Sequence, residues 1–376
     1  MKKIVALSLL LALLSCGEKF KLIPADRFDG EVDGKKVALY TLKGGDLTLQ
    51  VTNYGGRVVS LYAPDRDGQY TSIVVGHDNL QEYITPPGER FLGACVGPVA
   101  NRIGKGRFTV DGAEYQVPLN DGGKNALHGG ENGLDKVVWD VVSVTDSSIV
   151  LHYLHADGQE GFPGNLDITM TYTLDARNQF KVDYSAVTDK ATPVNISHHP
   201  FFCLRGEGNG SVEEYEMMIK ASHFVPIDAE SIPTGEIRPV EGTPFDFRQG
   251  HAIGAMIGMD DEQLRNGRGY DHNWCIDKET DGVELVCAVT DPVSGRCVEV
   301  LSDQPGLQFY SGNFFFGMEK GANGNVLDFR SSLALETQKY PDSINHENFT
   351  PTVLASIPPT NIAPFTQNDI KHLPFR

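Results

Sequence analysis

Residues 166–187 read LDITMTYTLDARNQFKVDYSAV. Leu166, Ile168, Met170, Tyr172 and Leu174 alternate with polar residues, and Phe180, Val182, Tyr184 and Ala186 repeat the pattern beyond a polar break. A period of two is that of a strand with one face buried, because successive side chains leave a strand on opposite sides. Strand-like runs recur in KVALYTL (36–42), LTLQVTNY (47–54) and RVVSLYAPDRDG (57–68), and VVWDVVSVTDSSIVLHYLH (137–155) continues the alternation. RFTVDGAEYQVPL (107–119) reads as a hairpin turned at Asp111–Gly112, and VELVCAVTDPVSGRCVEVLSD (283–303) as one turned near Ser294–Gly295. Only NLQEYI (79–84) and QLRNG (263–267) suggest helix, a single turn each. Many short strands with regular turns, and no repeat of 20–50 residues, indicate an all-β chain forming one large sandwich or barrel. The stretch after Pro351 carries Pro358, Pro359, Pro364 and Pro374 and is expected to be irregular, with at most one closing strand.

The composition agrees. Forty glycines and 21 prolines among 376 residues supply many turns, and 40% hydrophobic with 22% charged residues suits a full core. The net charge of -18, with no basic cluster, argues against nucleic acid as a partner.

The N-terminus is a separate object. MKKIVALSLLLALLSC has Lys2 and Lys3, an apolar run from Ile4 to Leu14, and then a small residue before Cys16. This is the pattern of a secretory signal peptide, too short for a membrane span. LLSC resembles the bacterial lipobox, which implies a signal peptide over 1–15, lipidation of Cys16, a short tether to residue 25 and a folded domain over 26–376. Such a protein is expected in the bacterial cell envelope, held to a membrane by its lipid, and as a monomer. Loss of Lys2 and Lys3 takes the charge from -18 to -20. Cys95, Cys203, Cys275, Cys287 and Cys297 then remain, an odd number that speaks against a complete disulfide framework. One bridge, Cys287–Cys297 across the second hairpin, is left open. No CxxC or HExxH occurs, so no metal site has motif support.

Five polar clusters interrupt the strand pattern. VANRIGKG carries Asn101 and Arg102, NALHGG carries His128, and GYDHNW carries Asp271. VNISHHPFFCL (194–204) carries adjacent histidines, which a strand sends to opposite faces. His198 falls in with Val194, Ile196 and Phe202, and so with core; His199 shares the polar face of Asn195 and Ser197. In LALETQKYPD, Glu336 is a carboxyl within an apolar strand, where it needs a partner or a raised pKa. A histidine and a carboxyl facing one cleft suit acid–base chemistry near neutrality, and amides, charges and aromatic rings around them suit a sugar. The residues alone lead no further.

Together, NYGGRVVSLYAPDRDG, VANRIGKGRFTVDGAEYQV, NALHGG, DKVVWD, GYDHNW, QPGLQFYSGNF and ALETQKYPDSINHENF resemble the aldose 1-epimerase (galactose mutarotase) family, in order from about Phe28 to Thr350. The resemblance implies a β-supersandwich, two large antiparallel sheets with an open sugar cleft, and cofactor-free interconversion of the α and β anomers of free hexoses such as galactose and glucose. It implies Glu336 as general base, His199 as general acid, and Asn101, Arg102, His128, Asp271 and Gln308 as substrate-binding residues. Pro98, Pro200, Phe201 and Cys203 depart from the family pattern, the last two near the acid. Rival readings are a hexose-6-phosphate epimerase, which needs an added cationic pocket, a sugar-binding protein without chemistry, and a glycosidase built on Asp271 and Glu336.

Overall fold

The computed structural model describes residues 20–356 and 365–373. The signal peptide and Cys16 lie outside the described residues. So do Pro358, Pro359, Pro364 and Pro374.

The 166–187 stretch forms the antiparallel strands Leu166–Leu174 and Gln179–Thr188, paired from Leu166↔Thr188 to Leu174↔Phe180. Every apolar residue of the alternation from Leu166 to Ala186 is buried. These strands belong to a nine-stranded sheet that opposes a seven-stranded one. Met170, Tyr172, Val182 and Val300 of the first share one apolar core with Trp274, Leu307, Phe309 and Leu335 of the second, joined by Leu49, Val51 and Leu61 of a four-stranded sheet. All ladders within these sheets are antiparallel. Two large antiparallel sheets face to face over a common core make the fold a β-supersandwich.

The local expectations hold where they rest on turn chemistry. Val110 pairs with Ala113 around Asp111–Gly112, whose positive φ values of 52° and 79° are those of a two-residue hairpin turn. Thr290 pairs with Cys297 around the second hairpin. The two helical segments are single turns, Leu80–Ile84 and Glu262–Gly267, capped by Asn79 and Asp261.

Three expectations are corrected or sharpened. Cys287 and Cys297 carry thiols and are not joined: the register sets Cys287 against Val300 and Cys297 against Thr290, three positions out of step. The closing strand of the tail, Phe365–His372, is not peripheral. It is inserted between Gln179–Thr188 and Cys297–Ser302, near the middle of the larger sheet. The described part of the tether, 20–25, is docked. Phe20 stacks on Tyr62 and Tyr70, and buried Ile23 exchanges two hydrogen bonds with the Gln50 amide.

Candidate active site

The seven-stranded sheet builds one wall of a cleft. Its neighbouring strands Asp271–Cys275, Gly306–Tyr310 and Leu333–Gln338 are in a register that sets Gln308 directly opposite Glu336 and Tyr310 opposite Asp271. Asp271, Gln308, Tyr310 and Glu336 therefore project from one face. The strand Ser197–His199 pairs with Ala94–Val96 and delivers His199 beside Glu336. Asn101, Arg102 and His128 come from the short ladder of Arg102–Ile103 with Ala126–Leu127. All seven expected site residues are thus in one region, and six of them line the same cleft; Gln308 lies beneath, bonded to Asp271.

Parity separates the histidines as expected. His198 is buried in the core, 5.4 Å from the Tyr172 ring and 5.6 Å from Phe180. His199 faces the cleft, its Nε2 3.4 Å from Glu336 Oε1. Both members of this pair are buried, at 5% and 2% exposure. Burial pushes the His199 imidazolium down to about 4 and holds the Glu336 carboxyl well above its ordinary range, with Asp271 adding to the second effect. Glu336 Oε2 and His199 Nδ1 have no hydrogen-bond partner.

His128 is fixed by its neighbour. Its backbone N–H donates to Asn101 O (3.0 Å), and the Asn101 backbone N–H donates to His128 Nδ1 (3.0 Å). Both residues hold a positive φ, 63° for Asn101 and 51° for His128, so this reciprocal pair is kept in strained backbone. An accepting Nδ1 leaves the ring proton on Nε2, and burial keeps the ring neutral. His128 accordingly offers the cleft a donor. Ligand atoms of His128, His199 and Glu336 lie within 4.8 Å of one another, a spacing that could hold a metal ion. The fixed tautomer opposes that use, because His128 Nε2 carries a proton where a metal needs a lone pair.

Arg102 Nε donates to Asp121 at 2.7 Å, and its Nη1 lies 3.9 Å from Asp271. Gln308 Nε2 donates to Asp271 Oδ1 at 2.8 Å. Burial raises the Asp271 carboxyl against the pull of Arg102.

The cleft also contains Glu89, Phe91, Leu127, Tyr310 and Phe314, which are not among the residues expected there. Phe91 stands edge-on to His128 at 4.6 Å, and Phe314 stacks on Tyr310 at 5.8 Å. Glu89 accepts the Phe91 N–H on Oε1, and burial with the Glu319 carboxyl nearby pushes it up to about 7. Tyr310 has a usable signal, since it lies two residues from Gln308 on the same strand face. Glu89 and Phe91 lie in PPGERF, where no strand period reveals a direction. Of the departures, Phe201 packs on the His199 ring at 4.8 Å, and Cys203 is buried nearby in the same cluster as Phe201 and Tyr310.

The sequence profile of the family described as aldose 1-epimerase matches residues 38–356. The chain belongs to the aldose 1-epimerase family. It is 40% identical to mouse galactose mutarotase over 321 residues, 85% of this chain and 91% of that protein. It is 34% identical to the aldose 1-epimerase of Escherichia coli K12 over 315 residues, 84% of this chain and 89% of that one. Among solved structures, an aldose epimerase homologue from C. elegans superposes with a TM-score of 0.81 at 27% identity, covering 90% of this chain and 99% of the other. A galactose 1-epimerase from Lactobacillus acidophilus gives 0.78 at 26%, covering 92% and 96%. The ordered motifs of the sequence point to the same family, and the fold these relatives share is the one described above.

Proposed function

We propose that this aldose 1-epimerase interconverts the α and β anomers of a free hexose, galactose or glucose, with Glu336 as base and His199 as acid. The observation that carries the assignment is the buried imidazole and carboxyl 3.4 Å apart at the floor of a cleft. With His199 depressed and Glu336 raised, the resting pair holds one proton, on Glu336, over a wide pH range, and its shift to His199 across the 3.4 Å contact gives the reactive carboxylate and imidazolium. Ring opening uses that count without changing it. Glu336 takes the proton of the C1 hydroxyl as His199 gives one to the ring oxygen, the bond between C1 and the ring oxygen breaks, and an aldehyde results. Rotation about C1–C2 and closure with the two roles reversed yield the other anomer. The Nε2–H of His128 supports the ring oxygen, Asn101, Arg102 and Asp271 serve the hydroxyls with Gln308 holding Asp271 from beneath, and Phe91, Tyr310 and Phe314 offer apolar faces to the C–H surfaces.

A neutral sugar suits the charge pattern. Glu89, Asp271 and Glu336 line the cleft, while Arg102 is already engaged by Asp121 and Asp271. A 6-phosphate would add an anion to a lining whose one cation among the described residues, Arg102, is already paired. A pure binding protein would have no use for an acid and a base in contact. A lipid anchor on Cys16, a place in the bacterial cell envelope and a monomeric state belong to the same proposal. The anchor and its location rest on the Lys2–Lys3, Ile4–Leu14 and LLSC pattern.

Polarimetry of freshly dissolved α-D-galactose and α-D-glucose is the test. Rotation is expected to relax far faster with the protein than in buffer, and relaxation no faster than buffer for both sugars would overturn the assignment. The pH profile follows from the pair. In Glu89→Gln, kcat/KM is expected to stay level from neutrality down to roughly pH 5 and to fall as a second proton, entering at His199 near pH 4, leaves the Glu336 proton nowhere to go and so removes the base. KM should decrease as pH rises through about 7, where Glu89 ionises and becomes a stronger acceptor, and Glu89→Gln should lose this inflection. Asp271→Asn removes a buried charge that receives the Gln308 amide. At about 1.5–3 kcal/mol for a hydrogen bond to a charged group, kcat/KM should fall roughly 10- to 150-fold, chiefly through KM. Initial rates across sugar concentration check both.

A further inference from the structure

Large apolar side chains open to solvent are unevenly spread. Phe314, Phe316, Met318, Val326 and Phe329 all come from one stretch of sixteen residues. The stretch folds back on itself: Gly317 N–H donates to Leu327 O, Leu327 N–H donates to Glu319 O, and Lys320 bridges to Val326. Phe315 and Leu327 point into an apolar cluster, which leaves Phe316, Met318 and Val326 outward. Phe314 has a place in the cleft, and Phe329 lies under the Arg330 guanidinium at 4.5 Å. Phe316, Met318 and Val326 remain 59%, 74% and 46% exposed, side by side on one hairpin, as surfaces that meet an apolar partner are.

The location says which partner. The tip of the hairpin is held by Ala322 N–H on Gly76 O and by Asn323 and Asn325 N–H on the Glu207 carboxylate. Ala322 and Asn323 share a surface hollow with Lys21–Pro24 and Arg27, and Ile23 and Phe28 lie in the same apolar cluster as Phe315 and Leu327. The hairpin and the docked N-terminal segment therefore belong to one face. Cys16 precedes Phe20 by four residues, a reach of at most about 14 Å when fully extended. An acyl chain on Cys16 brings this face within reach of the bilayer. Charge neither drives nor forbids the contact: exposed Lys21, Arg27 and Lys320 are balanced by exposed Asp26, Asp29 and Asp328.

We propose that Phe316, Met318 and Val326 are seated in the interfacial layer of the phospholipid bilayer that carries the acylated Cys16. This rests on the lipid-anchor reading above and adds a second, apolar point of attachment to it.

The test uses the full chain, matured with its anchor and reconstituted in zwitterionic phosphatidylcholine–phosphatidylethanolamine vesicles. A nitroxide is placed at Met318→Cys and, as a control, at Val353→Cys, on a strand that pairs with Thr192–Pro193 and not with the hairpin. The five described native cysteines are buried, so the label goes to the new thiol. The ratio of collisions with oxygen to collisions with a water-soluble nickel chelate is expected to be severalfold higher at 318 than at 353. It should drop to the control value in Cys16→Ser. Equal ratios in vesicles overturn the proposal. So does spin–spin broadening at 318, which would show a second copy on the patch. A mass spectrum without acyl chains on Cys16 removes both the anchor and this contact, while mutarotation measured on the same sample reports separately on the enzyme.

Discussion

Glu336→Gln is expected to lower kcat by about three to four orders of magnitude, at the upper end of what general acid–base groups contribute. The amide has nearly the same size and can still face Gln308 across the ladder, but it cannot accept the proton of the C1 hydroxyl. KM for galactose should change only a few-fold, because the hydroxyls keep Arg102, Asp271 and Asn101. The fold should not suffer. Burial already disfavours the Glu336 carboxylate, so a neutral amide is an easy replacement, and the melting midpoint should be unchanged or slightly higher. Progress curves by polarimetry, beside thermal melts of both proteins, separate loss of chemistry from loss of structure. A mutant within tenfold of the parent would mean that the base is elsewhere in the cleft, with Asp271 and Glu89 as the remaining carboxyls. His199→Asn should reduce kcat comparably. Its effect should not add to that of Glu336→Gln, since the two act on one proton count.

How much of this is legible in the sequence depends on the range of the interaction. The alternation in 166–187 is local, and by itself it assigns Tyr172 and Phe180 to the core. Strand parity is also local, and it sends His198 and His199 to opposite sides. The motif order brings Asn101, Arg102, His128 and Asp271 together, although almost 170 residues separate Arg102 from Asp271. What escapes is set by contacts that no short window contains. The strand Phe365–His372 enters the larger sheet between partners far away in sequence. The segment from Phe20 is docked by rings at 62 and 70, and the question of a Cys287–Cys297 bridge turns on a register of three residues. Glu89 and Phe91 have no period to betray them. They are positioned by an ion-pair cluster behind the cleft.

That cluster carries the second large effect. Asp135→Ala is expected to cost about 3–5 kcal/mol of stability, the range found when one partner of a buried ion pair is removed. Arg57 and Asp135 are both fully buried, with Arg57 Nη2 3.5 Å from Asp135 Oδ2. Arg90 grips the same carboxylate with two nitrogens, at 2.8 and 2.9 Å. Burial already lowers the Arg57 guanidinium from its ordinary value, and Asp135 is the first of the groups that offset this. Without the carboxylate, Arg57 is a buried cation whose remaining partners are carbonyl oxygens. Those carbonyls connect stability to function. Arg57 donates to Arg90 O, Leu92 O and Asp135 O, and Phe91, the ring beside His128, lies between the first two. Asp135→Ala should therefore lose kcat/KM at temperatures where it is still folded. Urea denaturation should show a lower midpoint with an unchanged slope, and the pair Arg57→Met, Asp135→Ala should recover part of the loss by removing the stranded charge. A single mutant destabilised by less than about 1 kcal/mol would mean that water reaches Arg57, and that the wall carrying Phe91 stands without this clamp.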